Sequence, residues 1–281
     1  MISSYCSKRP LLWHKKLARL FFDKVDRDWE TAWAQSVTPW ETRKCSAPLQ
    51  YALNNDNVLT QSRLMFKPDS YALVPGCGSG YDPILLGTAN ENSSSPYFAN
   101  VIGLDLSKTA IDVCESNLKA HMSGSEGASL KGNVSFSACS FFDYKCIVPV
   151  KNLKEVDGEM KFDFIFDYLF FAALEYHSEQ TQWEGGATMR GRWAQSMRRL
   201  LRPESGLLAT LVFPTRPGQE GLPAKAEGDT GPPFTVTLGS YAEVLVPLGF
   251  ECIAAAPVPE QASIKPRRGR EVMAYWKLHP E

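Results

Sequence analysis

Apolar runs alternate with amphipathic stretches along most of the chain. Helical spacing is clearest in KTAIDVCESNLKAHM, in RWAQSMRRLLRP, which ends at a proline, and in SYAEVLVPLGF, which ends at a glycine. The runs that predict strands are Ser70–Pro75, Val101–Ser107, Asn133–Ser140, Phe162–Leu174 and Gly206–Pro214, followed by ECIAAAPV and VMAYWKL. Strands that alternate with helices through short joins predict an α/β fold with a mostly parallel sheet, covered by helices on both faces.

The stretches between these elements predict loops and a cap. Residues 89–100 and 122–133 are rich in Ser, Gly and Asn, and 216–233 is a Gly/Pro-rich stretch that predicts a long, lid-like loop. The region before Ser70 has helical patterns without a core of its own, so we expect a helical cap on the sheet. One domain is therefore expected over residues 28–281.

Residues 1–27 form an N-terminal extension in this interpretation. The first 22 residues contain five Lys or Arg side chains and no acid, a composition typical of organellar targeting segments. The same stretch places Trp13, Leu17, Leu20 and Phe21 at helical spacing, which predicts a surface helix instead. The surface helix is the simpler interpretation, and the targeting segment stays open.

Composition and charge narrow the class of protein. The net charge of the 281 residues is −1, so no overall field attracts nucleic acid or an anionic membrane. No apolar stretch approaches the roughly 20 residues of a membrane span. The seven cysteines form no Cys-x-x-Cys pair, which favours neither a disulfide framework nor a metal site. We therefore expect a cytoplasmic protein with a small-molecule partner; the pattern leaves the oligomeric state open.

A glycine-rich turn follows the first predicted strand in LVPGCGSGYD. Gly76, Gly78 and Gly80 make a G-x-G-x-G pattern, while Tyr81 stands where a dinucleotide fingerprint requires its third glycine. Asp105 ends the second predicted strand, where a carboxylate can accept hydrogen bonds from both ribose hydroxyls of a nucleoside. Together these features favour a nucleoside site over the alternative, a tight turn with a helix-capping aspartate.

This combination resembles the class I S-adenosylmethionine-dependent methyltransferases. The resemblance implies S-adenosylmethionine as the cofactor, with Gly76 and Asp105 among its contacts. It also implies a seven-stranded Rossmann-like sheet whose last strand is antiparallel, which suits VMAYWKL at the carboxyl end. A nicotinamide-dependent oxidoreductase is the rival that Tyr81 disfavours.

DWETAWAQSVTPWE narrows the resemblance further. It is similar to the N-terminal signature of the thiopurine and thiol/halide methyltransferases, which implies that Trp29, Trp33 and Trp40 close over the cofactor. Packing of the cap on the sheet is the structural alternative. Later blocks, among them FDFIFDYLFFAAL and PRRGREVMAYWK, extend the resemblance over roughly residues 28–277. As a set they are closest to the plant-type thiol/halide branch.

ACSFFDY departs from the family pattern. The family carries an acid before this Phe-Phe, and Ser140 takes its place here, so the contact to adenine is expected from Ser140 or from the backbone of Phe141. EYHSEQTQWEGGATM and the loop after Pro214 look inserted on the side where substrate enters.

Tyr168 is the expected catalytic residue. The resemblance implies that its phenol, at the carboxyl end of the fourth strand, orients the nucleophile or touches the cofactor; tyrosine is typical of the thiol/halide branch and arginine of the thiopurine branch. Asp167 has two open roles, as an acceptor near the cofactor or as the cap of the next helix. We expect the strand to leave the core at Asp167. Arg192, Arg267 and Arg268 are expected to be solvated, with attraction of an anion as the weaker hypothesis.

The expected activity is methyl transfer from S-adenosylmethionine to a small sulfur or halide anion. DYLFF lacks the Pro-Pro that amine methyltransferases often carry at the end of the fourth strand, which disfavours N-methylation. Two alternatives stay open: S-methylation of larger aromatic thiols, and a non-catalytic protein that binds S-adenosylmethionine.

Overall fold

A computed structural model of the chain describes residues 29–66, 68–89, 95–124, 129–143, 155–156, 159–174, 188–215 and 233–279. The predicted extension over 1–27 lies outside these ranges. So do most of the lid-like loop over 216–233 and most of the inserted stretch after the fourth predicted strand.

The elements follow the predicted alternation. Within the described residues, three helices come before the first strand: α1 Trp29–Ala34, α2 Ala47–Asn55 and α3 Asn57–Met65. The first half of the sheet region contains β1 Tyr71–Pro75, α4 Tyr81–Gly87, β2 Asn100–Asp105, α5 Lys108–Ser123 and β3 Asn133–Ala138. The second half contains a small hairpin, β4 Glu155–Val156 and β5 Glu159–Met160, then β6 Phe164–Tyr168, α6 Phe170–Ala173, α7 Met189–Leu200, β7 Leu207–Val212, α8 Leu238–Leu245, β8 Phe250–Pro257 and β9 Val272–Leu278. The hairpin was not predicted.

Seven strands form one sheet in the order β3-β2-β1-β6-β7-β9-β8. The first five are parallel, and β9 runs antiparallel between β7 and β8. This confirms the seven-stranded sheet with an antiparallel last strand. The chain moves outward in one direction from β1 and in the other from β6, so the carboxyl ends of these two strands border the crevice where such sheets bind ligands.

Helices pack on both faces of the sheet, as predicted. Ile165 of β6 packs in a cluster with Trp193 of α7, whereas its neighbours Phe164 and Phe166 pack in the opposite cluster with Leu49 of α2. Alternate residues of a strand point to opposite faces, and a central parallel strand therefore needs apolar residues at successive positions. The N-terminal helices add to the core of the sheet, which matches the expected cap.

Polar residues in the sequence set where several helices begin. The Ser107 hydroxyl accepts a hydrogen bond of 3.0 Å from Ala110 N at the start of α5, and Thr237 and Ser240 form a reciprocal capping box at the start of α8. Gly249, with a φ of +84°, ends the helical turn after α8.

Cysteine chemistry departs from the expectation in one place. Cys45, Cys77, Cys114 and Cys252 are free thiols, whereas Cys139 is disulfide-bonded. No helix in the described ranges combines the length and the apolar character that crossing a membrane requires.

Candidate active site

A cavity of about 630 Å³ opens at the carboxyl ends of the parallel strands. Its wall is formed by the cap, the turn after β1, the end of β2, the turn after β3 and the end of β6. It contains every residue that the sequence analysis assigned to the site: Trp29, Trp33, Trp40, Gly76, Asp105, Ser140, Phe141 and Tyr168. The structure therefore brings together residues from five separate segments.

The glycine-rich turn presents its backbone to the cavity. Gly76 and Gly78 have φ values of +60° and +55°, in the left-handed region that favours glycine. A Cβ atom at Gly76 would lie 2.7 Å from Cδ2 of Phe170, and one at Gly78 would collide with the Glu41 carboxylate. Only glycine leaves the room for side chains and ligand to approach this turn closely.

Asp105 is held at the edge of the cavity by backbone amides. Its Oδ2 accepts a hydrogen bond of 3.1 Å from Gly78 N, and its Oδ1 accepts one of 2.9 Å from Ser107 N. Burial raises the pKa of Asp105 to about 6. Ser107, not Asp105, caps α5, so the capping alternative is wrong and the carboxylate remains at the cavity.

The three tryptophans form an aromatic cluster over the cavity. The Trp40 ring centroid lies 5.3 Å from that of Trp29 and 6.3 Å from that of Trp33, both edge to face. Glu30 fastens their helix to the start of α5, where its carboxylate accepts hydrogen bonds from the Ser107 hydroxyl at 2.6 Å and from Thr109 N at 3.1 Å. A carboxylate at a helix N-terminus is stabilised by the helix dipole, so this contact docks the cap beside the end of β2.

Two further carboxylates line the cavity, and sequence reasoning missed both. Glu41 accepts a hydrogen bond from the Ser79 hydroxyl, and Asp82 Oδ1 accepts one of 2.6 Å from Ser46 N. Burial raises the pKa of Glu41, and that of Asp82 to about 7. The sequence does contain a signal for each of them, because Glu41 directly follows the TPW motif and Asp82 closely follows the glycine-rich turn. With Asp105 they make this half of the cavity suited to a cation.

Aromatic side chains form the opposite half of the cavity. The Phe170 ring lies 5.3 Å from that of Phe141 and 6.2 Å from that of Phe142, between centroids. The guanidinium of Arg192 lies 5.0 Å from the centroid of Phe142. The Ser140 hydroxyl accepts a hydrogen bond of 3.3 Å from Phe142 N, which orders the turn after β3.

Asp167 is a structural acid, and the expectation that the strand leaves the core there is wrong. Its side chain is fully buried, within β6 and opposite Thr210 of β7. Its Oδ2 accepts a hydrogen bond of 2.8 Å from Trp193 Nε1, and its Oδ1 accepts one of 3.2 Å from Phe171 N. The indole of Trp193 covers this side chain, and among the residues of β6 only Tyr168 lines the cavity.

Arg267 is not a solvated turn residue. Its guanidinium carbon lies 5.3 Å from the ring centroid of Tyr168 and 4.8 Å from that of Phe213. Its Nη2 donates a hydrogen bond of 3.4 Å to the backbone oxygen of Trp40. Arg268 is exposed, as expected, and Arg192 lines the cavity.

The donor and acceptor groups of the cavity fit S-adenosylmethionine. The glycine-rich turn gives backbone access, and Asp105 offers acceptor oxygens for ribose hydroxyls. The tryptophan faces suit a sulfonium cation by cation–π contact. The half-buried carboxylates of Glu41 and Asp82 favour a ligand with positive charge.

The sequence is similar to methyltransferases along most of its length. Residues 25–265 match the family described as thiopurine S-methyltransferase (TPMT). The chain is 31% identical over 261 residues to the Arabidopsis thaliana protein named "Probable thiol methyltransferase 2", an alignment that covers 92% of this chain and 88% of the other. It is 30% identical over 250 residues to thiocyanate methyltransferase 1 of Brassica oleracea, covering 89% and 84%.

One solved structure illustrates the shared fold. An S-adenosylmethionine-dependent methyltransferase of Methanosarcina mazei superposes with a TM-score of 0.51 at 16% identity, over 80% of this chain and 98% of the other.

Proposed function

The chain belongs to the thiopurine S-methyltransferase family of S-adenosylmethionine-dependent methyltransferases, and on that premise we propose that it methylates a small sulfur or halide anion. Bisulfide, thiocyanate, a small thiolate and iodide are the nucleophiles we have in mind. The names of the Arabidopsis and Brassica relatives support a sulfur anion as the nucleophile. The aromatic half of the cavity supports a halide such as iodide as the nucleophile, because a large, weakly hydrated anion suits an apolar wall.

The cofactor supplies an electrophilic methyl group on a sulfonium sulfur, and the protein must position it and exclude water. We propose that Asp105 accepts the ribose hydroxyls and that the backbone at Gly76 lies against the cofactor. Ser140 and the backbone of Phe141 would contact the base. Trp29, Trp33 and Trp40 would cover the cation, since their rings lie together on one side of the cavity.

The nucleophile needs no strong base to activate it in this proposal. A thiolate or halide arrives as an anion, and its reactivity rises when its hydration shell is removed. Phe141, Phe142 and Phe170 would displace water, while the phenol of Tyr168 would donate a hydrogen bond that orients the anion. Arg192 would favour the entry of negative charge.

The position of Tyr168 is the observation on which the proposal depends most. It is the last residue of β6 and lines the same cavity as the carboxylates and the phenylalanines. A phenol in the same cavity as carboxylates that suit a cation and phenylalanines that exclude water suits in-line attack by an anion on a sulfonium methyl group.

Headspace gas chromatography tests the proposal directly. Purified protein with S-adenosylmethionine is incubated separately with iodide, bromide, bisulfide and thiocyanate, and an excess of S-adenosylhomocysteine provides the inhibited control. We expect enzyme-dependent methyl halide, methanethiol or methyl thiocyanate. No methylated volatile, together with methylation of thiophenol, would select the aromatic-thiol alternative. Cofactor binding without any methylated product would select the non-catalytic one.

We also propose the class of partner, the cellular location and the domain organisation of the protein. A net charge of −1 supports a small-molecule partner rather than a nucleic acid or membrane. We propose a cytoplasmic location, which the free thiols of Cys45, Cys77, Cys114 and Cys252 support and the disulfide at Cys139 opposes. We further propose that residues 28–281 fold as one methyltransferase domain.

A further inference from the structure

Glu41 stands between the cap and the glycine-rich turn. Its carboxylate accepts a hydrogen bond from the Ser79 hydroxyl, and it lies so close to Gly78 that a Cβ there would collide with it. The Trp33 ring lies on the same side, 3.6 Å from the position of that Cβ. Glu41 therefore faces the cavity at the point where turn and cap meet.

The charge on Glu41 is poorly compensated by the protein around it. The Ser79 hydroxyl that donates to Glu41 carries no charge. Burial raises the pKa of Glu41, and this effect outweighs the attraction between its carboxylate and the cations of Arg267 and Arg43. Asp82 and Asp105 line the same cavity, where burial raises the pKa of each and the negative charge of Glu41 adds to that rise. Buried carboxylates without matched cations are costly, which favours a ligand that brings its own positive charge.

S-adenosylmethionine carries two positive charges, on the sulfonium and on the ammonium of its amino-acid portion. Asp105 lies where the ribose is expected, and Tyr168 and the phenylalanines line the same cavity, where we expect the methyl group to meet the nucleophile. Gly76 faces Phe170 of that aromatic half, whereas Gly78 faces Glu41. Glu41 thus lies beside the end of the glycine-rich turn that is farther from the aromatic half of the cavity.

We infer that the Glu41 carboxylate binds the ammonium group of the cofactor's amino-acid portion. The inference rests on the cofactor of the proposed function and is independent of the nucleophile. A charge-assisted hydrogen bond in a partly desolvated site supplies both affinity and orientation. The cap then contributes an electrostatic contact to the cofactor besides its tryptophan rings.

A structural role for Glu41, as a latch that ties the cap to Ser79, predicts a different pattern of binding. A latch stabilises the closed cap for every ligand, whereas an ammonium contact acts only on ligands that carry the ammonium. Glu30 offers a matched comparison, because it also docks the cap through hydroxyl and amide donors but is not among the residues that line the cavity.

Isothermal titration calorimetry with two ligands separates these roles. S-adenosylhomocysteine keeps the amino-acid portion, and 5′-methylthioadenosine lacks it. For Glu41→Gln we expect S-adenosylhomocysteine to bind roughly 10- to 100-fold more weakly, the range for a hydrogen bond to a charged group. The affinity for 5′-methylthioadenosine should change less than about threefold. Glu30→Gln should weaken both ligands by the same factor.

Equal weakening of both ligands by Glu41→Gln, or no weakening of either, would overturn the inference. If that variant fails to fold, the wild-type protein gives the test, with S-adenosylhomocysteine compared with its deaminated 2-oxo analogue. Equal affinities for these two would overturn it as well. Because every readout is binding, a protein that binds as expected but methylates none of the proposed anions would contradict the proposed function alone.

Discussion

The guanidinium of Arg267 lies over the ring of Tyr168, 5.3 Å from its centroid, while the same side chain reaches the backbone of Trp40. One residue near the carboxyl end of the chain thus contacts both the cap and the expected catalytic tyrosine. A planar guanidinium can stack on a ring and donate hydrogen bonds at its edge, which an ammonium cannot do equally well. We therefore expect Arg267 to act as a positioning residue for both Tyr168 and the cap.

Replacement of Arg267 by glutamine should lower kcat/KM by roughly tenfold, because a cation–π contact and a hydrogen bond to the cap are lost together. Cofactor affinity should fall in the same variant, since Trp40 is less firmly held. Arg268→Gln is the matched control: this neighbour is exposed, and its Nε donates to the Ser263 oxygen at 3.5 Å. Similar losses in both variants would refute the positioning role.

Tyr168→Phe should separate turnover from binding. The substitution keeps the ring that stacks on Phe166 at 6.3 Å and removes only the hydroxyl. We expect kcat with bisulfide or thiocyanate to fall by roughly tenfold or more, the cost of one hydrogen bond to an anion. The dissociation constant of S-adenosylhomocysteine, measured by calorimetry, should stay within about twofold. Unchanged kcat would leave Tyr168 with a packing role.

Gly76→Ala should weaken both the fold and the cofactor site. An alanine there takes a left-handed φ of +60° and places its Cβ 2.7 Å from Phe170 Cδ2. Gly269→Ala is the control, because Gly269 has a similar φ of +69° but no atom within 4 Å of the added Cβ. The shared backbone strain costs about 1–2 kcal/mol, so both melting temperatures should drop by a few degrees. Only Gly76→Ala should weaken S-adenosylhomocysteine binding in calorimetry, and equal binding by both variants would contradict this.

Cofactor affinity should rise with pH between about 5 and 8. Burial raises the pKa of Asp105 to about 6 and that of Asp82 to about 7. Below these values the carboxyls are neutral and no longer attract a cation, and above them they are ionised, so affinity increases through this window and then levels off. We expect the dissociation constant of S-adenosylmethionine, measured by calorimetry, to fall by roughly tenfold across this range of pH.

Asp82→Asn gives the comparison for this pH profile, since an amide oxygen can still accept the hydrogen bond from Ser46 N. The variant should show weaker binding at pH 8 and a smaller rise from pH 5. A flat profile in the wild type, or affinity that falls with pH, would show that these carboxyls do not face the bound cation.

Local sequence patterns predicted the sheet, which the structure confirms, and they led to the proposed nucleoside residues, which line the cavity. A central parallel strand such as β6 must be apolar on both faces, so its residues give a continuous apolar run that can be recognised without neighbours. Gly76 and Asp105 could likewise be assigned, because each occupies a strand end within a short motif. Trp29, Trp33 and Trp40 were assigned to the expected site only through resemblance, since spacing alone is equally compatible with packing of the cap.

Long-range contacts decided the roles of the charged residues. Asp167 follows an apolar run in the sequence, yet whether it leaves the core depends on Thr210 and Trp193, which come from other elements. Glu41 meets Ser79 only when the cap closes on the turn, 38 residues later in the chain. Arg267 and Trp40 are separated by 227 residues. The free energy of a buried charge is set by the partners that folding brings to it, and neither composition nor periodicity carries that information.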